Sequence, residues 1–69
     1  MIGQKTVMFP NLLAEMARHG ETKKTVAELL NLSLPSVCRR FDGTVEWSKP
    51  EIDMLCMHYE KPYDYLFGT

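Results

Sequence analysis

Long apolar runs are missing from this chain of 69 residues. No stretch approaches the roughly 18–20 residues that a membrane-crossing helix needs, which excludes a helical membrane protein. The start, MIGQKTVMFP, has one lysine and too short an apolar patch for a secretory leader. Cysteine is scarce: Cys38 and Cys56 stand alone, without CxxC spacing. Reduced thiols are therefore expected rather than a disulfide framework. A structural zinc site needs four clustered ligands. Cys56 and His58 are close in sequence, but His19 and Cys38 fall in no ligand spacing, so no metal or other cofactor is expected. There is no glycine-rich phosphate loop, no carboxylate pair flanking an evident cleft, and no Cys–His pair with an orienting partner. Catalysis and a small-molecule ligand are not expected. A soluble cytoplasmic protein is the default that these absences leave.

An excess of one charge is lacking too. The net charge is −1, which taken whole counts against a nucleic-acid partner. The distribution says more. Residues 1–41 carry six basic groups (Lys5, Arg18, Lys23, Lys24, Arg39, Arg40) and three acidic ones (Glu15, Glu21, Glu28). Residues 42–69 carry Lys49 and Lys61 against Asp42, Glu46, Glu51, Asp53, Glu60 and Asp64. A polarised chain of this kind can present a local basic face.

What the chain does have is 45% hydrophobic residues in short periodic runs with helix signals at their ends. The length allows one domain with a modest core. Residues 1–9 carry no helix signal, and KTVMF reads either as an extended arm or as a packed strand. Pro10 suits the first turn of a helix running to Arg18, with Leu12, Leu13, Met16 and Ala17 as its apolar stripe and Gly20 as a left-handed stop. Thr22 offers a side-chain oxygen as cap to a second helix, Lys23 to Leu30, with Val26, Ala27 and Leu30 inward and Asn31 ending it. Ser33 caps a third, Leu34 to Phe41, with Pro35 in its first turn, Val37 and Phe41 inward, and Asp42-Gly43 as its stop. Ser48-Lys49-Pro50-Glu51 is a capping box, and Trp47 and Ile52 have hydrophobic-staple spacing. Ile52, Leu55, Cys56 and Tyr59 follow as a buried stripe. Pro62 opens a last short helix that packs Tyr63, Leu66 and Phe67 on the core. The expected fold is all-α, five short helices with brief connections.

The second and third helices meet the requirements of a helix-turn-helix. Ala27 is small where the helices cross. Asn31 tolerates positive φ in the turn. Val26, Leu30, Leu32 and Val37 lock the pair from inside. In TVAELLNLSLPSVCRRFDG, EWSKPEID and YEKPYDYLFG, from about Leu12 to Gly68, the chain resembles the phage lambda-repressor and Cro-like helix-turn-helix domains. It departs from that pattern at Asn31, where the turn usually has glycine, and at Lys23, where glutamine is usual.

The resemblance implies a compact five-helix lambda-repressor-like DNA-binding domain of phage or prophage origin. It implies that the third helix lies in the major groove while the second spans the backbone. A transcriptional regulator bound to a palindromic operator on double-stranded DNA as a homodimer is then expected. On this reading Ser33, Leu34, Pro35, Ser36, Cys38 and Arg39 contact bases: Arg39 as a bidentate donor to guanine, the serines as donors or acceptors, the apolar three against thymine methyls. Lys23, Lys24, Arg40 and Thr44 contact phosphates. Plainer readings stand beside these. Leu34 is either core or surface, Pro35 a helix starter, Cys38 a small half-buried residue, and Arg39 and Arg40 a solvated face. His19 and His58 are expected to be exposed and without a role. Met54, Met57 and Tyr65 form either a dimer contact or spare apolar surface. The rival function is a protein-interaction module, an antirepressor or adaptor on the same scaffold, docking a partner on the acidic second half.

Overall fold

Each helix begins where the chain supplies a local start signal. The computed structural model describes residues 8–68, which form α1 (Pro10–Arg18), α2 (Lys23–Leu30), α3 (Leu34–Phe41), α4 (Lys49–Tyr59) and α5 (Tyr63–Leu66), with no strand among them. The KTVMF expectation falls mostly on residues 1–7, outside the described residues. Met8 and Phe9 form a bend, with Phe9 in the left-handed region (φ 55°). At α4 the capping box is complete: the Glu51 N–H donates to Ser48 Oγ, and the Ser48 N–H donates to Glu51 Oε1 at 2.9 Å. At α3 the Ser36 N–H donates to Ser33 Oγ at 3.2 Å. At α2 Thr22 and Thr25 form a capping box, in which the Thr22 N–H donates to Thr25 Oγ1 at 3.2 Å. Asn31 takes φ 59° and lets the Leu32 N–H reach the Ala27 carbonyl at 2.8 Å, which turns the chain sharply into α3. Gly20 ends α1 in the same way with φ 67°.

The core gathers one or two side chains from every helix: Leu12 and Met16, Val26 and Ala27, Val37 and Phe41, Leu55 and Tyr59, and Leu66. Each large one contributes about 1.5–3 kcal/mol by leaving water. Contacts between α2 and α3, α1 and α5, and α4 and α5 hold the layers together. Beside this core Phe9, Phe41, Trp47 and Phe67 meet edge to face, at centroid distances from 5.3 to 6.5 Å. Trp47 is thus clasped by rings rather than by Ile52 alone. Its indole N–H is buried with no hydrogen-bond partner among the described residues.

Two expectations about burial are corrected, and one about His58, which is exposed as expected but bonded. Ala17 is exposed, and Glu15 is buried in its place. The Tyr65 hydroxyl, from α5, donates to Glu15 Oε2 at 3.1 Å, and Arg18 pairs with the same carboxylate. Tyr63 and Tyr65 exchange roles: Tyr63 is 55% exposed, while Tyr65 is half-buried against α1, where its carbonyl accepts from Asn11 Nδ2 at 2.8 Å. His58 is not idle. Its Nε2 lies 3.1 Å from both oxygens of Glu21, which also accepts from the Tyr59 hydroxyl at 2.8 Å.

Burial alone would raise the pKa of Glu15 and Glu21. The Tyr65 hydroxyl and Arg18 at the first, and the Tyr59 hydroxyl and His58 at the second, outweigh it and hold both below the usual 4.5. A carboxylate depressed in the folded state adds stability that is present above its unfolded pKa and is lost as pH falls through the folded value. The melting temperature should therefore drop below about pH 4.5, and Glu15→Gln should flatten that acid limb while lowering stability at neutral pH. Circular-dichroism melts from about pH 7 down to pH 3 check this; an unchanged acid limb in the variant would refute it.

Candidate nucleic-acid interface

At about 100° per residue, Val37 and Phe41 fix the inward side of α3 and place Arg39 on the side directly opposite. Arg39 and Pro35 are exposed, Leu34 is 44% exposed, and Ser36 and Cys38 are half-buried at the margins. Leu34 is therefore surface rather than core. Ser33 sits at the entrance, where its Oγ accepts from the Ser36 N–H and donates to Ser36 Oγ at 2.9 Å. That leaves the Ser36 hydroxyl proton available to a partner. Cys38 and Cys56 are separate thiols, each without a disulfide. Arg39 and Pro35 thus stand on the outward side of α3, with Ser36 and Cys38 on its two flanks and Ser33 and Leu34 exposed at its entrance.

The residues expected to flank that surface divide. Lys23 and Lys24 are exposed on the first turn of α2. Lys23 Nζ stands 5.2 Å from the centre of the Phe41 ring, which sets its charge beside the last turn of α3. Their position adds two cations to the unpaired N–H groups of a helix start, a favourable place for an anion.

Arg40 and Thr44 are corrections. Arg40 turns away from the Arg39 side, and its Nε and Nη2 donate to the two Glu51 oxygens at 2.9 and 3.2 Å. Its Nη1 donates to the Ser36 carbonyl at 3.0 Å, and both charged side chains are only 15% exposed. The guanidinium is a bolt between α3 and α4 rather than a loose cation. The physical reason is the capping box: Glu51 must sit at the start of α4 to cap it, and that start lies against the end of α3. Thr44 uses both its N–H and its hydroxyl on Asp42 Oδ1, at 2.9 and 2.6 Å. These bonds, the hydroxyl's first, hold the Asp42 carboxyl below its ordinary range. A fixed negative charge therefore stands where Thr44 was expected to meet a phosphate.

Sequence reasoning missed Glu51 as the partner of Arg40 and Asp42 as the partner of Thr44. The signal for the second was present, since an Asp two residues before a Thr in a turn is a common local bond. No helix among the described residues is long and apolar enough to cross a membrane. No family model, curated protein or solved structure matches the chain.

Proposed function

We propose that this chain is a sequence-specific double-stranded DNA-binding regulator of transcription, of the Cro or repressor kind and of phage or prophage origin. It works in the cytoplasm by binding rather than catalysis. In this reading α2 and α3 act as a helix-turn-helix, and α3 enters the major groove. The observation that carries it is the bare outward side of α3, with Arg39 at its centre and Lys23 beside its end. Arg39 donates in a fork to guanine O6 and N7, the Ser36 hydroxyl reaches a base edge, and Leu34, Pro35 and Cys38 meet thymine methyls. Lys23 and Lys24 hold phosphates, which supplies affinity without sequence information. Arg40 and Thr44 drop out of the contact set because Glu51 and Asp42 already hold them.

One module of this kind buries about 600–1,000 Å², too little for tight specific binding, so two copies on a palindromic operator are part of the reading. Selection from a random duplex pool should return an inverted repeat whose half-sites lie about 34–36 Å apart. With two phosphate-holding lysines per copy, log affinity should fall against log salt with a slope of about −3 to −4. Affinity that is immeasurable at low salt for every duplex, or that ignores salt, would sink the proposal. The rival, a protein-interaction module, has the acidic second half in its favour, and that same null result would leave it standing.

A further inference from the structure

Asp42-Gly43 is the one place in the chain where an aspartate or asparagine precedes glycine. A peptide link of this kind rearranges more readily than others, because glycine puts no side chain in the way of its own nitrogen. The Gly43 nitrogen bonds to the side-chain carboxyl carbon of Asp42. Its proton and the carboxyl hydroxyl leave together as water. Water then opens the five-membered imide. Opening at the backbone carbonyl leaves isoaspartate, with the chain routed through the former side chain and one extra methylene in the backbone. One water is lost and one regained, so no other reagent is needed.

A side chain at residue 43 would slow this reaction, but the turn does not readily admit one. Gly43 has φ 88°, in the left-handed region, and a Cβ there would stand 2.8 Å from Met8 Sδ. Asp42, Gly43 and Thr44 are all exposed, so water reaches the turn. Thr44 instead occupies the reacting group. Its hydroxyl and its N–H both donate to Asp42 Oδ1, at 2.6 and 2.9 Å. The same N–H lies 2.9 Å from the Arg39 carbonyl, which anchors Thr44 to α3. Asp42 has ψ 0°, a rotation that keeps the Gly43 nitrogen off the side-chain carboxyl carbon. The Thr44 bonds also favour the ionised carboxylate, the form that gives up an oxygen least readily. We propose that Asp42-Gly43 is a site of spontaneous isoaspartate formation and that Thr44 shields it in the folded chain. The inference is independent of DNA binding, and it gives Thr44 a role in place of the expected phosphate contact.

The test is to incubate the full chain for weeks at neutral pH and body temperature. Peptide mapping with isoaspartyl methyltransferase labelling then measures isoaspartate at residue 42. The folded chain should accumulate it slowly, and the same chain in urea much faster. Thr44→Val loses the hydroxyl and should accumulate it about fivefold faster than the unaltered chain, the effect of one hydrogen bond. Thr44→Ser keeps both donors and should restore the slow rate. Leu30→Ala loosens the fold away from the turn and, with Thr44 intact, should also stay slow. A thermal melt of each variant shows that it is folded during the incubation. A Thr44→Val chain no faster than the unaltered one, a folded chain as fast as the unfolded one, or a Thr44→Ser chain as fast as Thr44→Val would each overturn the proposal. A Leu30→Ala chain as fast as Thr44→Val would overturn it too, by assigning the protection to overall stability.

Discussion

Arg39→Ala is expected to weaken binding to a selected operator by roughly 5- to 150-fold per half-site, the 1–3 kcal/mol of one bidentate base contact. The side chain is exposed and forms no ion pair among the described residues, so the melting temperature should barely move. Arg39→Lys sharpens the test. Lysine keeps the charge but loses the planar fork, so affinity for scrambled duplex should persist while preference for the operator is lost. Anisotropy titrations on operator and scrambled duplex, beside a thermal melt, measure both quantities. Equal losses on the two duplexes would make Arg39 a phosphate contact, and no loss on either would put α3 outside the groove.

Arg40→Ala should cost about 3 kcal/mol of folding stability, because it leaves the Glu51 carboxylate half-enclosed with its opposite charge gone. Burial works against ionised Glu51, and in the intact chain the Arg40 hydrogen bonds and charge, with the Ser48 N–H, overcome that penalty and hold its pKa below the usual range. A chain this short has only several kcal/mol of stability to lose. Urea titration should therefore show a clear shift in midpoint. Arg40→Met combined with Glu51→Gln should regain most of the loss, since no unpaired charge then remains and glutamine still caps α4. Operator affinity per folded molecule should change less than about twofold, for Arg40 meets no DNA in this reading. An Arg40→Ala protein that is fully stable yet weaker on every duplex would restore the phosphate role.

These two arginines mark where the chain's local signals stop. Helix limits were legible because they depend on neighbours: the proline at α1, the asparagine after α2, the serine before α3 and the S-x-x-E box at α4 act within a turn of themselves. The inward side of α3 was equally legible from Val37 and Phe41. Periodicity did not separate Arg39 from Arg40, which differ by about 100° of rotation on one helix. A carboxylate eleven residues further on makes that distinction. Glu15 escaped for the same reason, since the tyrosine that makes its burial tolerable lies on the last helix. Tyr63 and Tyr65 were interchanged because a four-residue helix is too short to fix the phase of a pattern. Of the positions read from α3 alone, Arg39 and Pro35 stand outward, whereas Ser36 and Cys38 are half-buried on its flanks. Two of the four flanking positions failed because they already had partners elsewhere.

The ring cluster around Trp47 joins the residue just before α1, the last residue of α3 and the residue just after α5. Trp47 is also the one tryptophan in the chain. Its ultraviolet emission thus originates at the rear end of the helix proposed to touch DNA, from a half-buried indole framed by three phenylalanines. Any tilt of that helix on engaging a partner changes the colour or brightness of this light, so the native protein carries its own optical gauge and needs no attached dye.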